Sequence, residues 1–420
     1  MAGGPTSEVK AKGMLAERAD THPRTAGAKP LRVLMLAPQP FFEPRGTPFS
    51  VLGRLRALSE LGHEVDLLTY HVGQDVAIPR VRIHRTPRVP FIKRVRIGPS
   101  APKVLLDLLL FLKALQFLRR GRYDLLHTHE EASFFGVLLA RLFRLPHLYD
   151  MHSSPTEQLG NFRATGLRPL VRLFDWIERR VVSSSDAVIT ICPALRDRVA
   201  LMSPTVPQVM IENVASANGT AEVSEEQLRA FCAAHPWLDG RRVVLYAGTF
   251  EPYQGIDLLL GSVGRVAQRR PEVLFLLVGG KPEQVRLHQE RAARMGLSPY
   301  VRFTGTRPPE EVALFIKLSH VLVSPRTDGT NTPLKVYSYL QSGKPIVATN
   351  LYTHTQVLTG DVAVLVEPDE ESLARGILTV LEDPELAAAL GARAKRLFEA
   401  NYSFGTYLEK TQQALAMAVR

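Results

Sequence analysis

Three histidines in the first half of the chain offer chemistry that can be placed at once: His127 and His129 in Asp124-Leu125-Leu126-His127-Thr128-His129-Glu130, and His152 in Tyr149-Asp150-Met151-His152-Ser153. An imidazole can accept or donate a proton near neutral pH, or bind a metal through one ring nitrogen. An H-x-H pair with a distant third histidine is weak as a zinc pattern, so no metal is expected. His152 is the catalytic candidate, because it stands in a polar turn just after an apolar run. A structural role is the simpler reading of His127 and His129. Glu130, Glu131 and Asp150 are the first-half carboxylates best placed for acid–base work.

The densest polar segment is Ser324-Pro325-Arg326-Thr327-Asp328-Gly329-Thr330-Asn331-Thr332-Pro333-Leu334-Lys335. It follows an apolar run and opens a helix expected from about Pro333. Asn331 or Thr332 is the expected N-cap, and the capped end favours an anion, with Arg326 and Lys335 adding charge beside it. Glycine-bearing turns follow other apolar runs. In Pro44-Arg45-Gly46-Thr47-Pro48, Gly46 permits a tight turn and Pro48 suits a first helical turn, whose N–H groups can hold a phosphate or a sugar hydroxyl. Taken alone, that motif is more simply an ordinary turn. Ala247-Gly248-Thr249-Phe250 and Val278-Gly279-Gly280-Lys281 are neither GxGxxG nor Walker patterns. Hydride transfer and ATP hydrolysis therefore lack their usual signatures, and no cofactor is expected.

These residues need a frame, and the apolar pattern supplies one. Leu31–Ala37 has no polar alternation and reads as a buried strand, followed by a helix from about Thr47 to Leu61. Strands at Glu64–Tyr70, Asp124–His127, Pro146–Met151, Asp186–Cys192 and Val209–Asn213 alternate with helices near Pro102–Arg120, Ser133–Phe143 and Arg168–Ser183. A second series runs through Val243–Ala247, Val273–Val278, Tyr300–Thr304, His320–Ser324, Pro345–Thr349 and Val362–Val366. Such βα series imply parallel sheets with helices on both faces, hence an α/β chain of two doubly wound Rossmann-like domains. The expected division is a disordered leader at 1–30, a first domain at 31–215 and a linker at 216–240. A second domain follows at 241–400, with a closing helix at 401–420 free to cross back to the first. Ligands of open α/β sheets bind beyond the strands' carboxyl ends, so two such domains make a cleft between them.

Composition limits the function classes. Cys192 and Cys232 cannot build a disulfide framework, which fits a reducing cytoplasm. Val104–Leu118 is broken by Asp107 and Lys113 and falls short of the ~20 residues a membrane span needs. Between Arg80 and Arg122 stand twelve Lys/Arg against one carboxylate, Asp107. That segment is either a solvated face or a match for an anionic substrate or membrane surface. Nucleic acid is not expected, since none of its binding motifs accompanies the charge. Helix Pro102–Arg120 reads as apolar around nearly its whole circumference, with Lys113, Gln116 and Arg120 on one stripe. It is then either buried on two sides or docked peripherally on a bilayer.

Together the blocks carry a family resemblance. Leu276-Leu277-Val278-Gly279-Gly280, a helix, Val301-Arg302-Phe303-Thr304-Gly305, Glu310-Glu311-Val312 and His320–Pro325 follow one another in a familiar order. Leu340–Thr349 is similar to a GxPVVAT strand, and Asp124–Glu130 and Tyr149–Ser153 resemble first-domain blocks. Over residues 31–415 the chain resembles the family 4 (group 1) retaining glycosyltransferases of GT-B fold. The resemblance implies a nucleotide-sugar donor in the second domain, and in the first a lipid-linked, glycan or small-molecule acceptor. It implies metal-independent transfer with retention, the leaving phosphate assisting attack from its own face. Such enzymes serve polysaccharide synthesis, in the cytoplasm or at the inner membrane face.

By the same resemblance Gly46 and Thr47 lie near the donor phosphates, with Gly279 and Gly280 also on the donor side, and His152 is the active-site histidine. Thr306 faces the base, and Asn331 and Thr332 hold sugar and phosphate. The family's diphosphate-gripping Arg and Lys are here Thr249 and Gln254, and its two glutamates are Thr330 and Ser338. Arg45, Arg326 and Lys335 then remain as charged donors to phosphate. Two alternatives stay open: a GT-B-type nucleotide-sugar epimerase, which needs carboxylates deep in the cleft, and a non-catalytic sugar-nucleotide-binding partner, which the missing charges favour.

Overall fold

The computed structural model describes residues 29–42, 46–92, 95, 101–154, 168–212 and 223–420. Most of the expected leader, Arg45 and positions 216–222 of the expected linker lie outside the described residues.

The first half runs β1 (Arg32–Ala37), α1 (Gly46–Glu60), β2 (Glu64–Thr69), β3 (Val81–Arg85), α2 (Ala101–Arg120), β4 (Leu125–His129), α3 (Ala132–Phe143), β5 (His147–Met151), α4 (Arg168–Ser184), β6 (Ala187–Thr190), α5 (Pro193–Met202) and β7 (Gln208–Met210). The second runs α6 (Glu225–Ala233), β8 (Arg242–Ala247), α7 (Ile256–Arg269), β9 (Val273–Val278), α8 (Pro282–Arg294), β10 (Val301–Gly305), α9 (Pro309–Leu318), β11 (Val321–Ser324), α10 (Leu334–Ser342), β12 (Ile346–Thr349), α11 (Tyr352–Thr355), β13 (Val364–Val366), α12 (Glu370–Glu382), α13 (Pro384–Asn401) and α14 (Phe404–Ala418).

Among the described residues the strands form a seven-stranded sheet, ordered β3-β2-β1-β4-β5-β6-β7, and a six-stranded sheet, ordered β10-β9-β8-β11-β12-β13. Every pairing is parallel. The apolar runs are buried on both faces, as a parallel sheet between helix layers requires. Strand order reverses between β1 and β4 and again between β8 and β11, and these switch points open the crevices where ligands of such sheets bind.

Three expectations need correction. Strand β3 (Val-Arg-Ile-His-Arg) has no counterpart in the apolar pattern; as an edge strand paired only to β2, it needs no continuous apolar run. Helix α10 starts at Leu334 with Pro333 at its N-cap and no side-chain cap, so neither Asn331 nor Thr332 caps it.

Helix α2 is buried on one side only. Leu106, Leu110, Ala114 and Leu118 face the core, while Val104, Leu105, Leu108 and Leu112 are exposed. Lys113 turns inward, its ammonium donating to the Arg85 carbonyl, so it does not share a solvent stripe with Gln116 and Arg120.

Helix α14 packs on α1, β5, β6 and β7 of the first half. Lys410 Nζ reaches Glu212 Oε2 at 2.6 Å there.

Candidate active site

Strand β4 ends in His127-Thr128-His129 and β5 in Asp150-Met151, and their parallel pairing sets His129 opposite Asp150. His152 follows at once. The three imidazoles form a ladder: His127 and His129 stack with centroids 4.9 Å apart, His129 and His152 with centroids 5.2 Å apart. His129 Nδ1 is 2.9 Å from His152 Nε2. Burial lowers the pKa of all three, so they stand neutral near pH 7.

Beside the ladder lies a fully buried ion pair, Arg54 Nε to Asp150 Oδ2 at 2.9 Å. Burial alone would raise the Asp150 pKa, but Arg54 and His152 hold it well below the usual carboxylate range. His127, His129 and Asp150 bring ligand-type atoms within 4.8 Å of one another. One of those atoms, Asp150 Oδ2, already accepts from the Arg54 guanidinium. Arg54 was not singled out in the sequence, although it marks itself: on α1 it falls in the buried stripe with Val51 and Leu58.

Thr47, in the first turn of α1, donates from Oγ1 to Glu130 Oε1 at 3.2 Å. Glu130 has a left-handed backbone, φ 48°, which a non-glycine residue adopts at a cost. Burial, with Glu131 adding repulsion, pushes its pKa up to about 7. Glu131 pairs with Lys103, and Asp107 accepts from the Tyr70 hydroxyl.

On the second sheet the glycine turns are forced by close packing. A Cβ on Gly279 would lie 1.9 Å from the Gly248 carbonyl oxygen, and one on Gly280 would strike the Phe250 ring. A Cβ on Gly248 would come within 2.9 Å of Lys335 Nζ, so Gly248 leaves the space this ammonium fills. Lys335 Nζ lies 3.7 Å over the Tyr246 ring and donates to Gln254 Oε1 at 3.1 Å. Burial, with Arg326 nearby, holds its pKa well below the ordinary lysine value. Thr249 is exposed, its carbonyl accepting from the Tyr246 hydroxyl at 2.6 Å. Thr306 is exposed too, its Oγ1 donating to the Gly280 carbonyl at 3.1 Å. Ser338 follows Lys335 by one turn of α10, on the same face.

Arg326 braces its own loop as well as carrying charge. Its Nη1 donates to the Asn331 carbonyl and to Thr353 Oγ1, both at 2.7 Å, and its guanidinium lies over the Tyr253 ring.

Asn331 spans the cleft. Its Nδ2 donates to the His152 carbonyl at 3.4 Å, and its Oδ1 accepts from Cys192 Sγ at 3.5 Å. Gln356 adds a second crossing, its Oε1 accepting from the Ala194 amide at 3.3 Å. The polar segment of the second half and the histidine turn of the first are therefore in direct contact. Thr332 lies just ahead of α10, one residue before its N-cap Pro333. Gly46 and Thr47 stand on the first-half side, whereas Thr249, Gln254, Gly279, Gly280 and Thr306 cluster at the β8, β9 and β10 ends.

Two family models match the chain in succession: Glycosyl transferase 4-like domain over residues 46–213, and Glycosyl transferases group 1 over residues 230–397. The phosphatidyl-myo-inositol mannosyltransferase of Mycolicibacterium smegmatis is 26% identical over 379 residues, 87% of this chain and 88% of that protein. Among solved structures, a sucrose-phosphate synthase from Thermosynechococcus elongatus superposes with a TM-score of 0.73 at 20% identity, covering 92% of this chain and 98% of that one. The Anabaena protein HepE in complex with UDP gives a TM-score of 0.71 at 17% identity, covering 92% of this chain and 100% of that one.

Proposed function

Because the chain belongs to the group 1 glycosyltransferases of GT-B fold, we propose that it moves a sugar, with retention and without a metal, from a nucleotide-sugar donor to a lipid-linked acceptor. The observation that carries this reading is the contact between the His152 turn and the Arg326–Lys335 segment across the cleft. One side offers a neutral imidazole, the other two cationic side chains and a helix N-terminus, which together suit a sugar tethered to a diphosphate. Lys335 stands in for the charges absent at Thr249 and Gln254. A bound diphosphate beside it favours the ammonium, offsetting the burial that depresses it in the empty site. With Arg326 and Lys335 to meet the diphosphate charge, no divalent cation is required for that task.

The acceptor reading rests on a second feature. Neighbouring helices α2, α3 and α4 each turn apolar side chains outward: Leu108 and Leu112, Leu138 and Leu142, Leu173 and Trp176. Arg119, Arg120, Arg141, Arg144, Arg172 and Arg180 are exposed on the same helices or directly after them. An apolar face rimmed by arginine suits the interface of an anionic bilayer, and peripheral docking there brings the cleft to a lipid-borne acceptor. No described helix is long and apolar enough to cross a membrane. A related mannosyltransferase named for phosphatidyl-myo-inositol supports the same class of acceptor.

A panel of nucleotide sugars tests the proposal, with free nucleotide measured in the presence and absence of lipid acceptors. Acceptor-dependent release supports transfer. An isomerised sugar nucleotide would identify an epimerase instead, and binding without turnover a non-catalytic partner.

A further inference from the structure

We propose that Asp150 is a positioning residue that fixes the tautomer of His152, and that the C-terminal helix α14 holds it to that task through Arg54. This rests on the reading that His152 serves the transfer.

Asp150 Oδ1 is 3.4 Å from His152 Nε2, and its Oδ2 is 3.8 Å from His129 Nδ1. Those two ring nitrogens face each other at 2.9 Å, so one proton lies between them: two N–H groups, or two lone pairs, would repel. A carboxylate favours the proton on the nitrogen nearer to it, which is His152 Nε2. His152 Nδ1 is then left with a lone pair. That atom is buried and has no partner among the described residues, so it presents an acceptor to a hydroxyl arriving in the cleft.

A tautomer held this way depends on the carboxylate staying charged and in place. Arg54 does both at 2.9 Å, and it is itself held from α14: Nη1 donates to Thr411 Oγ1 at 3.0 Å, and the guanidinium lies 5.0 Å over the Tyr407 ring. Helix α14 follows the second domain in sequence but packs on the first. The chain's last helix thus completes the shell behind His152. An aspartate that orients a histidine from behind is a familiar catalytic arrangement; here its counter-ion comes from α1 and its last hydrogen bond from α14.

The test uses the full chain labelled with ¹⁵N-histidine, the His152 resonances being those lost in His152→Gln. The expected wild-type spectrum shows the Nε2–H tautomer. Asp150→Asn should move His152 toward Nδ1–H and lower kcat about 10²-fold, with the donor KM changed no more than about twofold. Arg54→Met/Asp150→Asn leaves no unpaired buried charge, and it should show the same tautomer change in a folded protein. Thr411→Val should lower kcat severalfold at unchanged donor KM. An Nδ1–H wild-type tautomer, or an Asp150→Asn protein with unchanged tautomer and kcat, overturns the proposal. If His152→Gln keeps full turnover, the role of His152 in transfer fails instead, and the Asp150→Asn spectrum still decides whether Asp150 sets the tautomer.

Discussion

Replacing Leu108 and Leu112 together by aspartate should detach the protein from anionic membranes and leave its fold intact. Leu108 is 53% exposed and Leu112 51%, so the protein already covers about half of each side chain. Full burial of a leucine contributes about 1.5–3 kcal/mol, and covering the remaining half in the bilayer interface gains roughly 1 kcal/mol per residue. Two carboxylates placed against a negative surface cost about 1 kcal/mol each, on the scale by which a Lys or Arg is attracted. The double change therefore removes about 4 kcal/mol, near a 10³-fold loss in partitioning. The covered half of each leucine is lost to the fold as well, about 1 kcal/mol per residue, so the variant should stay folded with its stability lowered by about 2 kcal/mol. Cosedimentation with phosphatidylserine-containing and purely zwitterionic vesicles across a salt series measures the effect. Trp176, 63% exposed on α4, supplies an emission shift as a second readout. Wild type should bind the anionic vesicles, more weakly as salt rises, and the variant should bind neither. Undiminished binding of the variant, or failure of wild type at low salt, would refute the assignment of this face.

Three further outcomes follow from the site and its surroundings. His152→Ala should lower turnover about 10²-fold or more without loss of thermal stability, and unchanged turnover would remove His152 from the site. Transfer should survive exhaustive EDTA treatment if, as proposed, Arg326 and Lys335 meet the diphosphate charge; activity lost to EDTA and restored by magnesium or manganese would contradict this. His354 is buried between Ser324 and Thr349, and burial lowers its pKa to about 4, so the unfolded chain takes up its proton first as pH falls. Its contribution to stability is complete above about pH 6.5 and is lost between there and about pH 4. His354→Gln should flatten the fall of the unfolding midpoint across that window, and an unaltered pH profile would count against it.

The frame was legible because its strands are buried on both faces. Val273–Val278 has no polar position to blur the pattern, and its bounds in sequence and structure coincide. Strand β3 was not legible, since an edge strand of alternating valine, isoleucine and basic residues carries only half that signal. His152 and the Arg326–Lys335 segment could be singled out from residue type and place, but their meeting could not, because periodicity says nothing about how two domains face each other. Asn331 shows the consequence. Its type suits an N-cap, yet the cleft offers it the His152 carbonyl and the Cys192 thiol, and Pro333 takes the cap position.

Arg54 shows a signal present but passed over, and Asp150 one taken only as a candidate acid or base. Each is a lone charge in a frame that is otherwise core: Arg54 on the buried stripe of α1, Asp150 in a strand buried at every position. Burying one unpaired charge costs several kcal/mol, so two in one domain are best explained by each other. Thr249 and Gln254 leave the loop after β8 without a cation, and Lys335 reaches back from α10 over Tyr246, into space kept open by Gly248, to donate to Gln254. On the proposed reading, the cation that meets the diphosphate sits on the facing helix and not on this loop. A lysine held there without a buried carboxylate partner lowers its pKa, and a phosphate entering the cleft would restore the charge that burial suppresses.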